Sequence, residues 1–296
     1  MSAPTTHRGI LVGVDGSPSA TVAVDWAARE AASRKVPLTL VYVLSPPVMM
    51  MWPEVAMPPS YSQWQEEQGR EILAEATKVA QAAAKADGGV EVRTEMPTGP
   101  SQSVLIELSA EADLVVVGSR GRGALARGLL GSVSSNVVRH AHCPVAVIHD
   151  EDPMMDNPSQ APVVVGIDGS PASEVATSIA FDVASRRGVE LVAFHAVSDA
   201  DVIEIPGVDY ETLEERAHVI LAERLAGWQE RYPDVTVRRV VEWGRPANAL
   251  VKQAENAQLL VVGSHGRGGF TGMLLGSVAN SVAQAAKMPV IVARKP

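Results

Sequence analysis

Two glycine-rich segments hold the residue types best suited to bind an anion. Gly118, Gly121, Gly131 and Ser132 are spaced G-x2-G-x9-G-S, and Gly263, Gly266, Gly276 and Ser277 repeat that spacing. Glycine tolerates positive φ and lets a backbone come close to a ligand. The Gly-Ser that closes each copy opens a helix, whose unpaired N–H groups and dipole favour a negative charge by roughly 0.3–2 kcal/mol. Ser132 and Ser277 add hydroxyl donors. Arg120, Arg122 and Arg127 put three cations on the first loop, whereas the second keeps Arg267 but has His265 and Gly272 opposite the other two. Such a loop can cradle a polyphosphate. Its other reading is a pair of tight turns between a strand and a helix.

Other phosphate motifs do not fit. A dinucleotide fingerprint should follow the first strand of a half, where the chain reads VDGSPSA and IDGSPAS. A lysine-bearing P-loop needs G-K-[ST] after a strand, and the sequence has none. Asp15 and Asp168 close those first strands. A carboxylate beside a polyphosphate is repelled unless it meets ribose hydroxyls or shares a metal ion. The alternative for both is an Asx turn that starts the next helix. His140, His142 and Cys143 have the chemistry of metal ligands, but the aligned Ala285, Lys287 and Met288 do not repeat it. A basic residue suits a helix C-terminus, which accounts for His140 more simply.

The elements that must position these residues follow from the aliphatic runs. ILVGVD (10–15) precedes Ser17 and Pro18, an N-cap and a helix-first proline ahead of ATVAVDWAAREAA. PLTLVYV (37–43) is a strand, then come a Pro- and Met-rich loop and a helix from about Tyr61 to Ala86. VEVRTEM, a helix through SVLIELSA, DLVVVG, the glycine-rich loop, a helix to His140 and PVAVIH complete the half. VVVGID, VELVAFHA, VTVRRVV, QLLVVG and PVIVAR repeat the pattern. Unbroken aliphatic strands alternating with helices imply an α/β fold, with a parallel sheet covered on both faces. Ligands of such sheets sit beyond the carboxyl ends of the strands, where Asp15, Gly118, Asp168 and Gly263 fall.

The halves are copies. From Gly118 to Val137 against Gly263 to Val282, eleven of twenty positions are identical. Two domains of the same kind are expected, over residues 1–150 and 160–296, joined by HDEDPMMDNPSQAP. Charge stands at 25 basic against 34 acidic residues, a net −9, with no Lys/Arg-rich run. That balance argues against wrapping nucleic acid or an anionic membrane. One cysteine excludes an internal disulfide. The opening MSAPTTHRGILVGVD lacks the long apolar run of a signal peptide, and prolines interrupt the uncharged stretch from Val36 to Pro53. A cytoplasmic protein is expected.

With these residues in view, the chain resembles the universal stress protein family, in its tandem ATP-binding form. The resemblance rests on G-x2-G-x9-G-[ST] in both halves and on the aspartate that ends each first strand. It implies two doubly wound domains, each with a five-stranded parallel sheet in the order 3-2-1-4-5, flanked by helices. It also implies ATP at the strand ends; Mg²⁺ is the companion ion that Asp15 or Asp168 could share. The phosphates would be held by Gly118, Gly121, Gly131 and Ser132, with Ser119, Arg120, Arg122, Gly123, Arg127 and Val133 as the further nucleotide-binding candidates of the same loop and helix start. Gly263, Gly266, Gly276 and Ser277 would do so in the second half, with Ser264, His265, Arg267, Gly268 and Val278 as its further candidates. Gly13, Val14 and Asp15, and Gly166, Ile167 and Asp168, would border the nucleotide. Val43 and Ala196 would meet adenine through backbone groups. The family implies an internal pseudo-dimer through PVAVIH and PVIVAR and further homodimerisation; a regulator whose surface responds to ATP also calls for an unidentified protein partner. Its implied role is nucleotide-dependent regulation of stress response or growth arrest. The alternatives are a slow Mg-dependent ATPase or phosphotransferase, and a dimerisation module with vestigial pockets. With no committed nucleophile–base constellation in the sequence, a non-enzyme is favoured.

Overall fold

A computed structural model describes residues 7–45, 59–121, 130–149, 158–197, 210–267 and 274–294. The chain divides into two compact units, Met1–Asp150 and Glu151–Pro296. In the first, the elements run β1 (Ile10–Gly13), α1 (Pro18–Arg34), β2 (Leu38–Val41), α2 (Pro59–Ala83), β3 (Val92–Glu95), α3 (Ser101–Leu108), β4 (Leu114–Gly118), α4 (Ser132–His140) and β5 (Val145–Ile148). The second contains β6 (Val163–Gly166), α5 (Pro171–Arg187), β7 (Leu191–Val197), α6 (Tyr210–Arg231), β8 (Val237–Trp243), α7 (Pro246–Gln253), β9 (Leu259–Gly263), α8 (Ser277–Ala285) and β10 (Val290–Ala293).

Within the first unit the strands lie in the order β3-β2-β1-β4-β5, and in the second β8-β7-β6-β9-β10. All the pairings within each unit are parallel, with Ile10 beside Leu38 on one side and Leu114 on the other. Chain order reverses between β1 and β4, and again between β6 and β9, so each sheet opens a crevice there. Helix α1 packs against α2, and α3 against α4, the two pairs covering the two faces of the sheet. β1, β2, β4 and β5 are buried on both faces, which is why they read as continuous Val/Ile/Leu runs.

Local chemistry sets the helix ends. Ser17 adopts an extended φ of −76° and ψ of 156°, and its hydroxyl accepts the Ala20 N–H at 3.3 Å, with Pro18 in the first turn. Ser170 and Pro171 repeat the device, with Ser170 accepting from Ser173 at 3.2 Å. The helix expected to run to about Ala86 ends at Ala83, and a short 3-10 turn over Lys85–Asp87 leads to Gly88 at φ 90°. Cys143, just after α4, is buried at 6% exposure. Among the described residues no helix is long and apolar enough to cross a membrane. The Pro- and Met-rich residues 46–58 lie outside the described residues, as does most of the joining segment.

Candidate functional site

The first crevice is built from strand ends. Val14 continues the ladder past β1, donating its N–H to the Val41 carbonyl at 2.9 Å. The chain then turns sharply at Asp15, whose Oδ1 accepts the Ser17 N–H at 2.9 Å. Asp168 does the same for Ser170 at 2.9 Å. The Asx-turn reading therefore describes one oxygen of each aspartate. The other oxygen faces the glycine-rich loop: a Cβ added to Gly121 would stand 2.9 Å from Asp15 Oδ2, and one on Gly266 would stand 2.6 Å from Asp168 Oδ2. Asp168 Oδ2 also accepts the Arg267 N–H at 3.1 Å.

These glycines are close approaches, and not only turn residues. A side chain at Gly118 would collide with Ser19, whose carbonyl oxygen lies 2.9 Å from the Cβ position. At Gly263 the obstruction is the backbone of Ala172 and Ser173, at 2.8 and 2.9 Å. The loop returns to its strand through Gly131, whose N–H donates to Ser119 O at 2.8 Å, and through Gly276, which donates to Ser264 O at 2.7 Å. Both serines are buried at 4% exposure. Helix α4 then begins at Ser132, with the Ser134 hydroxyl donating to Gly118 O at 2.7 Å. The first backbone N–H groups of a helix have no acceptor within it. Those of Ser132, Val133 and Ser134 have no acceptor within the helix, a geometry suited to an anion.

Around these groups lies a cavity of about 450 Å³, lined by Gly13, Val14, Asp15, Val43, Gly118, Arg120, Gly121, Gly131, Ser132 and Val133 among others. Its volume falls in the roughly 300–1,000 Å³ range of small-molecule sites. Of the residues expected in the first half, Ser119 sits buried behind this wall, with its hydroxyl unpaired among the described residues. Arg122, Gly123 and Arg127, like Gly268 in the second half, lie outside the described residues.

In the second unit the expected residues occupy matching places with different side chains. His265 replaces Arg120, and its ring Nδ1 is 3.1 Å from Ser264 Oγ, while its carbonyl accepts the Ser170 hydroxyl at 3.0 Å. Ile167 donates its N–H to Phe194 O at 2.8 Å, and its own carbonyl accepts from His195 Nδ1 at 2.6 Å. Ala196 is half-buried on β7, beside His195. Gly276 is tight here, with its Cβ position 3.2 Å from Ser264 O. Ser277 and Val278 open α8 as Ser132 and Val133 open α4.

The first cavity also includes side chains that motif reasoning did not single out: Tyr42, Ser45, Gln65, Ser101, Leu105 and Ser134. Ser45 and Ser101 follow the ends of β2 and β3, so the strand-end rule could have found them. Gln65 sits on a helix twenty residues beyond Ser45. No local signal marks it.

The model of the universal stress protein family matches residues 6–149 and 161–294 of the chain. A universal stress protein of Mycobacterium tuberculosis is 56% identical over 295 residues, spanning 100% of both chains. A second from the same organism is 54% identical over 295 residues, covering 100% of this chain and 99% of its own. The crystal structure of a universal stress protein from Archaeoglobus fulgidus has a TM-score of 0.70 at 24% identity, over 98% of this chain and 100% of that one. That last likeness concerns the fold alone.

Proposed function

This chain belongs to the universal stress protein family, and we propose that it is an ATP-binding regulator of stress response or growth arrest. The observation that carries the reading is the first cavity. There the glycine at 121 leaves no room between the loop and Asp15, the α4 N-terminus supplies N–H groups with no acceptor in the helix, and Arg120 lines the wall. Backbone donors and one cation converging on a concave strand-end site suit a polyphosphate. The Val41–Val43 edge and the apolar Leu105 suit a flat base.

In this reading the loop from Gly118 to Ser132 holds the phosphates and the β1 and β2 ends hold the nucleoside. Among the described residues no group of three or more His, Cys, Asp or Glu side chains could hold a metal. Mg²⁺ would therefore rest mainly on phosphate oxygens and water, with Asp15 Oδ2 as the nearest carboxylate; a bound ion of this kind supplies charge neutralisation. ATP favours the conformation in which the loop, Asp15 and α4 are held together, and regulation follows if a partner surface distinguishes that state. The reading includes a cytoplasmic, homodimeric protein with a protein partner downstream.

Release and identification of nucleotide from denatured, purified protein tests it, together with ATP titration of the wild type and of Gly121→Asp/Gly266→Asp. Each new carboxylate would be forced against the Asp15 or Asp168 oxygen and the phosphate path. ATP at up to two per chain, with affinity falling by more than about tenfold in the double variant, is expected. Absence of bound nucleotide and of ATP binding with Mg²⁺ present would falsify it.

A further inference from the structure

Beyond the glycine-rich loop, the far end of the first cavity carries a polar cluster. Gln65 Nε2 donates to the Ser45 carbonyl at 3.0 Å and lies 3.3 Å from the Tyr61 hydroxyl. The Ser45 and Ser101 hydroxyls are 2.9 Å apart. Gln65, Ser45 and Ser101 line the cavity next to Tyr42 and Val43. This is the β2 end, across from the phosphate loop.

The amide orientation is determined by chemistry. A backbone carbonyl can only accept, so the Gln65 nitrogen must face Ser45 O. Tyr61 engages the same nitrogen. Gln65 Oε1 therefore remains as a fixed acceptor, with no hydrogen-bond partner among the described residues. We infer that Gln65 selects the base at the first site, accepting a hydrogen bond from an exocyclic amino group and rejecting a ring oxo group at that position. Adenine presents an amino donor where guanine and hypoxanthine present an oxygen. An oxo base would bring two acceptors face to face, leaving both desolvated without a proton between them.

The helix that carries Gln65 is brought close by a glycine. Gly69 lies one turn further along α2, on the same helix face. A Cβ there would be 2.6 Å from Met96 Sδ and 2.8 Å from the Tyr42 ring. The helix backbone therefore rests directly on the side chains at the ends of β2 and β3, and Gln65 reaches past Tyr42 to Ser45. Among its described residues the second unit lacks this arrangement. Ile72 meets Gly16 and Arg224 meets Gly169, which aligns α2 with α6. The same offset puts Ala217 opposite Gln65 and the fully buried Leu221 opposite Gly69. Among the described residues the second unit has no glutamine at this place, so base selection by this side chain belongs to the first site.

This inference rests on nucleotide binding in the first cavity, and the test separates the two. Affinities for ATP, inosine triphosphate and purine riboside triphosphate are measured by calorimetry in the Gly266→Asp background, then with Gln65→Met added. ATP and purine riboside triphosphate differ only in an amino group or a hydrogen on one ring carbon, whereas inosine triphosphate carries an oxygen there and also a hydrogen on the neighbouring N1, so the first pair isolates the amino group. The expected order is ATP, then the unsubstituted purine, then inosine triphosphate, with about tenfold or more between first and last. Gln65→Met should bring ATP and inosine triphosphate within about threefold of each other, by weakening ATP. Equal affinities in the Gly266→Asp protein overturn the inference without needing the Gln65 variant to fold. A preserved ratio in a folded Gln65→Met protein, checked by circular dichroism, also overturns it. Binding of none of the three overturns both this inference and the nucleotide reading, whereas tight but unselective binding overturns this one alone.

Discussion

Asp15 uses its two oxygens for different purposes, and they respond differently to substitution. Oδ1 holds the turn into α1 by accepting the Ser17 N–H, and Oδ2 faces the loop at Gly121. Asparagine can keep the first contact, because its carbonyl oxygen accepts in the same way. Asp15→Asn is therefore expected to unfold in urea within about 0.5 kcal/mol of the wild type. Asp15→Ala should cost about 1 kcal/mol through the orphaned N–H at the helix start. Equal losses for both variants would show that the charge, and not the turn, stabilises this corner. Residues of this kind were readable in the sequence because each is constrained locally: DGSP marks a cap, and the repeated glycines mark contacts that exclude a side chain. Gln65 was not readable, since only the packing of a distant helix brings it to the cavity.

Helix α2 shows how an element's placement can depend on one missing side chain. Gly69 lets it lie against Tyr42 and Met96, and adding a methyl group there forces either the ring or the helix to move. Gly69→Ala should lower stability by about 1–3 kcal/mol despite its better helix propensity, as measured by urea denaturation. An increase in stability would mean that the Met96 thioether gives way freely. The equivalent region of the second unit is filled differently. Phe181, fully buried, stacks on Trp228 and Tyr232 with ring centroids 6.0 and 5.6 Å away, where the first unit has alanines at 28, 76 and 80. In the first unit a cavity of about 260 Å³ remains between α1 and α2, bordered by Ile72, Ala76 and Val79. Strands and helices were legible from their periodicity and caps. How closely two helices approach was not, because it depends on side-chain volumes from separate parts of the chain.

At the scale of the molecule, duplication was the clearest message of the sequence, and each unit shows the same strand order. The copies differ at several of the residues around the cavities: Arg120 against His265, Tyr42 against His195, Gln65 against Ala217. A chain of net charge −9 opposes the approach of a polyanion, so cations on the loop matter more than on a neutral protein. The first site should therefore bind ATP more tightly than the second. Separate titration of Gly266→Asp, which leaves the first site, and Gly121→Asp, which leaves the second, measures both. A tighter second site would reverse the assignment. One further consequence follows from the lone buried Cys143 in the first unit. A thiol-reactive dye can couple to the protein only when that unit opens, so its labelling rate times the breathing of one half while the other stays chemically silent. A ligand confined to the closed state slows that clock by the factor 1 + [L]/Kd. Occupancy of one half can then be read from kinetics alone, with no label on the ligand.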